Sequence, residues 1–328
     1  MLRLLPLLLP LLVGGCASLV ANRITDFPAP QPGEDEMRLV EVAQLESQRF
    51  CAPNRCLSYL RTRAGFPGAK QLKVKVRTAD ETTDYLTLKW EREPNAQGTV
   101  VLLHGYQIYK EAMVLNAAYW RLLGYQVLVP DLGGHGQSDG PFSFGVKDAP
   151  LLSLWLDAQE DLERPLYLFG NSMGAVAALH LASIREDVAG LIFQAPMLEL
   201  ETGVRAYQRS FASAPMRMIA DEDLEEGVGL ALHRLGLSPS QLSCRQLMRE
   251  SSLPALILAS DEDPFAPFGV LQPLQGDAVQ VENLPGLDHL QMGLIGPGQH
   301  GPISRWMAQQ QPGLVLPTLV SSPKDATP

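Results

Sequence analysis

The stretch that most constrains this chain is Gly170-Asn171-Ser172-Met173-Gly174, because of what flanks it. Before it, Pro165-Leu166-Tyr167-Leu168-Phe169 is short and apolar, as a buried strand requires. After it, Ala175 to Ala182 is an alanine-rich run suited to a helix. A serine at the corner between strand and helix, with glycine two residues away on each side, fits a nucleophile elbow. Such a turn forces the serine into a strained conformation, and a side chain at either flanking glycine would clash with neighbouring backbone. The hydroxyl is thereby held clear of the sheet. The helix that starts there turns its first amides toward any negative charge that develops beside it.

Three further segments have the same character. Gly98 to Leu103 is a β-branched, apolar strand running into His104-Gly105-Tyr106-Gln107. Tyr125 to Pro130 is another, and it runs into Asp131-Leu132-Gly133-Gly134-His135-Gly136-Gln137-Ser138. Leu253 to Ala259 ends in Ser260-Asp261-Glu262-Asp263. Downstream of it, Val279 to Leu284 precedes Pro285-Gly286-Leu287-Asp288-His289.

With these motifs in this order, residues 72 to 308 resemble α/β-hydrolases of the serine aminopeptidase and monoglyceride lipase-like group. The resemblance implies an α/β fold: a mostly parallel central sheet flanked by helices, with a helical cap inserted. It implies Ser172 as nucleophile, Asp263 as acid and His289 as base, the order that hydrolases of this fold use. Asp261, two residues earlier, is the alternative acid, and His300 is the second choice for the base. The oxyanion amides would belong to Tyr106 and Met173. His104, Asp131 and His135 are expected to shape the loops without touching substrate. Asp288 stands where the family usually has a small residue, and it either raises the basicity of His289 or faces solvent.

The chemistry requires these residue types. A serine hydroxyl is a poor nucleophile near neutral pH until an imidazole takes its proton. A carboxylate then fixes the imidazole tautomer and stabilises the imidazolium that forms. Two amides holding the oxyanion are worth about 3 kcal/mol of barrier each.

The 328 residues suit one sizeable α/β domain with appendages. A formal charge of −10 argues against nucleic acid as a partner, since phosphates would be repelled. No metal-ligand spacing occurs among histidines and cysteines, so neither a metal nor another cofactor is implied.

The N-terminus suggests a compartment. Met1-Leu2-Arg3 is a minimal positive region, Leu4 to Val13 is apolar, and Val13-Gly14-Gly15-Cys16 resembles a bacterial lipobox. The rival readings are an ordinary secretory signal cleaved near Ala17, or a buried cysteine. In the lipoprotein reading residues 1–15 are the signal and Cys16 carries acyl chains. Ala17 after it points to the outer membrane, facing the periplasm, and the chain is anchored without spanning the bilayer. Cys51 and Cys56 enclose a turn-like loop, and in an oxidising compartment they are expected to pair. A rival pairing uses Cys244.

Residues 16–70 are expected to form a tether with Pro28, Pro30 and Pro32, followed by an amphipathic helix carrying Leu39, Val42, Leu45 and Phe50. Antiparallel strands are expected at Gln71–Thr78 and Asp84–Glu91. The hydrolase core would then occupy 71–196 and 253–310. A helical cap would span 197–252, with Tyr207, Phe211, Met216 and Met218 either lining an acyl pocket or gluing cap to core. A disordered tail would cover 311–328. Together these features predict a membrane-anchored serine hydrolase acting on a carboxylic or lipid ester. The alternative from another class is a non-catalytic hydrolase-fold lipoprotein that binds an envelope lipid, peptide or protein.

Overall fold

Apolar runs of five to seven residues, too short for helices and bounded by turn-forming residues, become the central strands. The computed structural model describes residues 8–62, 71–77, 83–90 and 96–320. In chain order the strands are β1 (Leu45–Ala52), β2 (Arg55–Thr62), β3 (Gln71–Arg77), β4 (Thr83–Lys89), β5 (Thr99–Leu103), β6 (Gln126–Pro130), β7 (Leu166–Asn171), β8 (Val188–Gln194), β9 (Ala255–Ala259), β10 (Val279–Asn283) and β11 (Thr318–Val320). An eight-stranded sheet has the order β1-β2-β6-β5-β7-β8-β9-β10, antiparallel at its β1 and β2 edge and parallel from β6 onward. β5, β6, β7 and β9 are buried along nearly their whole length, which is why they lack the alternation of a one-sided sheet.

The helices that matter for the site are α1 (Leu8–Thr25), α2 (Glu34–Val42), α3 (Val114–Leu122), α4 (Ala149–Asp157), α5 (Met173–Ala182), α6 (Leu200–Ser210), α7 (Ala214–Arg217), α8 (Asp221–Leu235), α9 (Cys244–Glu250), α10 (Phe268–Leu271), α11 (His289–Met292) and α12 (Pro297–Gln310). Residues 197–252 contain α6 to α9, and among the described residues this stretch has helices and no strand. The insertion sits between β8 and β9.

Several boundaries differ from the sequence expectation. The helix expected through Phe50 ends at Val42, and Leu45 and Phe50 lie in β1. Val42 is 73% exposed, while Val40 is the buried residue of α2. Gln44 has φ 54°, which no helix continues through. The Arg121 guanidinium donates to Ala43 O at 2.7 Å and so closes the end of α2. From there the residues alternate in burial and pair across the β1–β2 hairpin, with Cys51 and Cys56 directly opposite and disulfide-bonded. Cys244 is free and buried. The main sheet therefore starts at Leu45 and not after residue 71: β1 and β2 belong to it, whereas β3 and β4 form a separate antiparallel sheet with β11.

The proline segment lies against the domain instead of holding it off. Phe27 packs on Tyr106, His135 and Phe142, and the Gln31 amide donates to Gly136 O at 3.0 Å. The tail is ordered through residue 320. Tyr125 donates to Gln311 Oε1 at 2.7 Å, Gln311 donates to Gln97 O at 2.6 Å, and β11 pairs with β4. Residues 1–7 of the expected signal and 321–328 of the expected tail lie outside the described residues. No helix among the described residues is long and apolar enough to cross a membrane.

Candidate active site

Ser172 has φ 50° and ψ −113° between β7 and α5, a conformation that costs a non-glycine residue on the order of 1–3 kcal/mol. Surrounding backbone holds it there: Ser172 N donates to Gln194 O at 2.9 Å, and Ser172 O accepts from Met197 N at 3.1 Å. Both flanking glycines are sterically required. A Cβ on Gly174 would stand 2.0 Å from Leu103 O, and one on Gly170 would stand 2.6 Å from Ala175 N.

His289 begins α11. Its Nε2 lies 3.1 Å from Ser172 Oγ and its Nδ1 lies 2.8 Å from Asp263 Oδ2. Asp263 is fully buried, and its other oxygen accepts from the amides of Phe265 at 2.8 Å and Ala266 at 3.2 Å. These bonds orient the carboxylate. Asp261, the alternative acid, is exposed and accepts instead from Gly269 N and Asn283 Nδ2. His300 is buried on α12 beside the Tyr119 hydroxyl, where burial pushes its pKa down to about 4. Asp288 has a third role that the sequence reading did not foresee. Its carboxylate accepts from Gln291 N at 2.9 Å while Gln291 Oε1 accepts from Asp288 N, a capping box that starts the turn presenting His289.

The loop after β5 passes directly over Ser172, since a Cβ on Gly105 would sit 3.5 Å from Ser172 Cβ. Among the described residues, neither Tyr106 N nor Met173 N has a hydrogen-bond acceptor. Both amides are therefore unpaired.

Two neutral histidines brace this loop. His104 Nε2 accepts from Leu132 N at 2.9 Å, and His135 Nε2 accepts from Gln107 N at 3.1 Å. Their Nδ1 atoms face Gly105 O and Gly133 O respectively, which makes Nδ1 the protonated nitrogen in each. Burial lowers the pKa of both, that of His135 to about 3.

A buried ion cluster beneath the loop was not legible in the sequence. Lys110 Nζ lies 2.7 Å from Asp131 Oδ2 and 2.9 Å from Glu111 Oε1, and Asp131 also accepts from Lys110 N and Gln137 N. Only the position of Asp131 at the end of β6 hinted at it. Removing Lys110 would leave two buried carboxylates uncompensated, a loss of about 3–5 kcal/mol.

An aromatic series leads from His289 through the loop after β9 to the end of α6. Phe265 packs on the His289 ring at 4.6 Å between centroids, Phe211 stacks on Phe265 at 5.6 Å, and Tyr207 on Phe211 at 6.3 Å. Tyr207 and Phe211 thus continue from the histidine into the cap, with about half of each side chain exposed. Met216 is partly buried, and Met218 is 85% exposed. A separate hollow of about 730 Å³, bordered by Pro254, Ala278, Glu282 and Trp306, lies along β10 and includes none of Ser172, Asp263 and His289 in its lining.

The serine aminopeptidase family profile matches residues 94–230, a span that contains Tyr106, Ser172 and Met173 but ends before Asp263. Among curated proteins the chain is similar to phospholipase YtpA of Bacillus subtilis, 26% identical over 110 residues (32% of this chain, 42% of that protein). It is also similar to lipase LipV of Mycobacterium tuberculosis, 31% identical over 111 residues (33% and 41%). The matched segments thus span about two-fifths of those relatives' length. Among solved structures, the esterase Pf2001 of Pyrococcus furiosus superposes with a TM-score of 0.55 at 18% identity (76% of this chain, 96% of that one). A bacterial membrane phospholipase A does so with a TM-score of 0.54 at 17% identity (94% and 99%). At these identities the superpositions speak for the fold alone. The sheet topology and the structural likeness together give the chain an α/β-hydrolase fold, and over residues 94–230 the profile match makes it similar to the serine aminopeptidase family within that fold.

Proposed function

We propose that the protein is a serine hydrolase that cleaves carboxylic esters through an acyl-enzyme. One observation carries this reading: Ser172, His289 and Asp263 are linked in series at 3.1 and 2.8 Å. In this mechanism Ser172 Oγ attacks the ester carbonyl carbon as its proton passes to His289 Nε2. The carbonyl oxygen gains negative charge and accepts from Tyr106 N and Met173 N. Collapse of the tetrahedral adduct breaks the C–O bond to the alcohol, which leaves with the proton from His289. A water molecule, deprotonated by His289, then releases the acid and restores Ser172. Asp263 keeps the proton on Nδ1 throughout and stabilises the imidazolium.

The aromatic series from Phe265 through Phe211 to Tyr207 favours an apolar acyl group, and the lipase and phospholipase relatives support that direction. The lipobox-like Gly15-Cys16 supports an acyl anchor at Cys16 and an envelope location, which we include in the proposal.

The test is labelling with a fluorophosphonate together with hydrolysis of nitrophenyl esters of graded chain length. Ser172→Ala should abolish both while the protein stays folded. Phe211→Asp should depress long-chain turnover at least tenfold more than short-chain turnover, because a charge in an apolar groove is costly to desolvate. Labelling that persists in Ser172→Ala would place the nucleophile elsewhere. Folded wild-type protein that neither labels nor turns over esters would favour the lipoprotein that binds without catalysis. Equal loss on all chain lengths would assign Phe211 to the fold.

A further inference from the structure

The Tyr106 side chain is committed to α1, so only its backbone N–H remains for the oxyanion role proposed above. The single phenol proton is shared between Ile24 O at 3.0 Å and Arg23 O at 3.2 Å. Both carbonyls lie in the last turn of α1, where intrahelical partners run out and the helix dipole is negative. Burial raises the phenol to about 12, so it stays a donor. Directly after the helix, Phe27 meets the Tyr106 ring edge-on at 5.1 Å and also touches His135 and Phe142. Residues 105–107 are therefore gripped from below by His104 and His135 and from outside by α1 and Phe27.

The same helix is seated on the cap. Ala17, Val20, Ala21 and Ile24 are buried, and Gly227 of α8 lies so close that a Cβ there would stand 2.6 Å from Val20 Cβ and 2.8 Å from Ala17 O. Arg234 Nη1 donates to Asn22 Oδ1 at 2.6 Å further along. One element thus touches both the cap helix and the loop that carries a candidate oxyanion donor.

We propose that α1 and Phe27 form a positioning element for the oxyanion hole, so that the seating of α1 on the cap helix sets the place of the Tyr106 amide and with it the rate of turnover. The inference rests on the serine hydrolase reading above and adds a role for a segment outside the α/β core. Every contact it uses lies after Cys16 in the chain, so a protein processed and acylated at Cys16 keeps the whole clamp. The anchor would then be joined through α1 directly to the catalytic loop. A displaced amide weakens binding of the oxyanion, which exists only at and near the transition state. The effect should therefore fall on kcat and leave KM in place.

The experiment uses the full chain with Gly227→Ala, which moves α1 on α8 without touching the loop, and Tyr106→Phe, which deletes the phenol oxygen and keeps the amide. Rates are normalised to the fraction titrated by fluorophosphonate, and thermal melts are recorded alongside. Each variant is expected to lose about tenfold in kcat, the scale of a sub-ångström misplacement, with KM within twofold of wild type. If α1 only stabilises the fold, the melts shift and kcat per labelled site stays at the wild-type value in both variants; that result overturns the clamp. Wild-type protein that neither labels nor turns over esters fails the hydrolase reading itself, and the clamp falls with it.

Discussion

Replacing Asp263 by asparagine isolates the part of the mechanism that depends on one proton. The side chain is fully buried, and its Oδ1 already accepts from Phe265 N at 2.8 Å and Ala266 N at 3.2 Å. In Asp263→Asn those two amides still demand an acceptor, so the amide oxygen takes that place and the NH2 group turns toward His289 Nδ1, 2.8 Å away in the native site. Two donors cannot share that contact. The imidazole must present an unprotonated Nδ1 and carry its proton on Nε2, the atom that faces Ser172 Oγ at 3.1 Å. In that tautomer it has no lone pair for the serine proton. Loss of the correct tautomer in a triad of this type lowers kcat about 10⁴-fold, roughly 5.4 kcal/mol of barrier. Size and packing are unchanged, so the melting temperature should move little. The assay is kcat on a short-chain nitrophenyl ester, with Asp261→Asn beside it. That control should stay near wild type, because Asp261 serves Gly269 N and Asn283 instead. A folded Asp263→Asn protein within tenfold of wild type, or an equal loss in Asp261→Asn, would refute the reasoning.

Two other outcomes follow from the buried histidines and from the N-terminus. Burial holds His135 near 3, His300 near 4 and His104 below its ordinary 6.5. The unfolded chain therefore binds protons near pH 6.5 that the native state refuses. Stability is whole above that pH and falls as pH drops toward 4, with His135 and His300 each contributing about 2 kcal/mol of loss between pH 7 and 5 and His104 acting in the same direction. Urea midpoints at the two pH values measure this, and equal midpoints would contradict it. For the anchor, expression in a bacterium should incorporate labelled palmitate and direct the protein to membranes, and Cys16→Ser should abolish both; a soluble wild-type protein processed elsewhere would count against it.

The parts of this protein legible in the sequence were those written in short windows. The elbow could be read because strand, glycine, serine, glycine and helix are neighbours in the chain, and the steric reason for Gly170 and Gly174 is local. The apolar runs of β5, β6, β7 and β9 declared a doubly covered parallel sheet by composition alone, and the run of helices after β8 declared itself by the absence of alternation. Local pattern could not say which carboxylate of Asp261 and Asp263 turns inward. That was decided by the amides of Phe265 and Ala266, which hold Asp263 beside a histidine 26 residues away. Nor could it carry Leu45 and Phe50 from an apparent helical stripe into β1, since their spacing serves either structure until a partner strand exists. The ion cluster of Lys110, Glu111 and Asp131 and the grip of α1 on Tyr106 are of the same kind. A buried charge is tolerable, and a helix end is satisfied, only by groups from elsewhere in the chain. Periodicity and turn chemistry record which face of a segment is apolar, and only tertiary packing selects what that face meets.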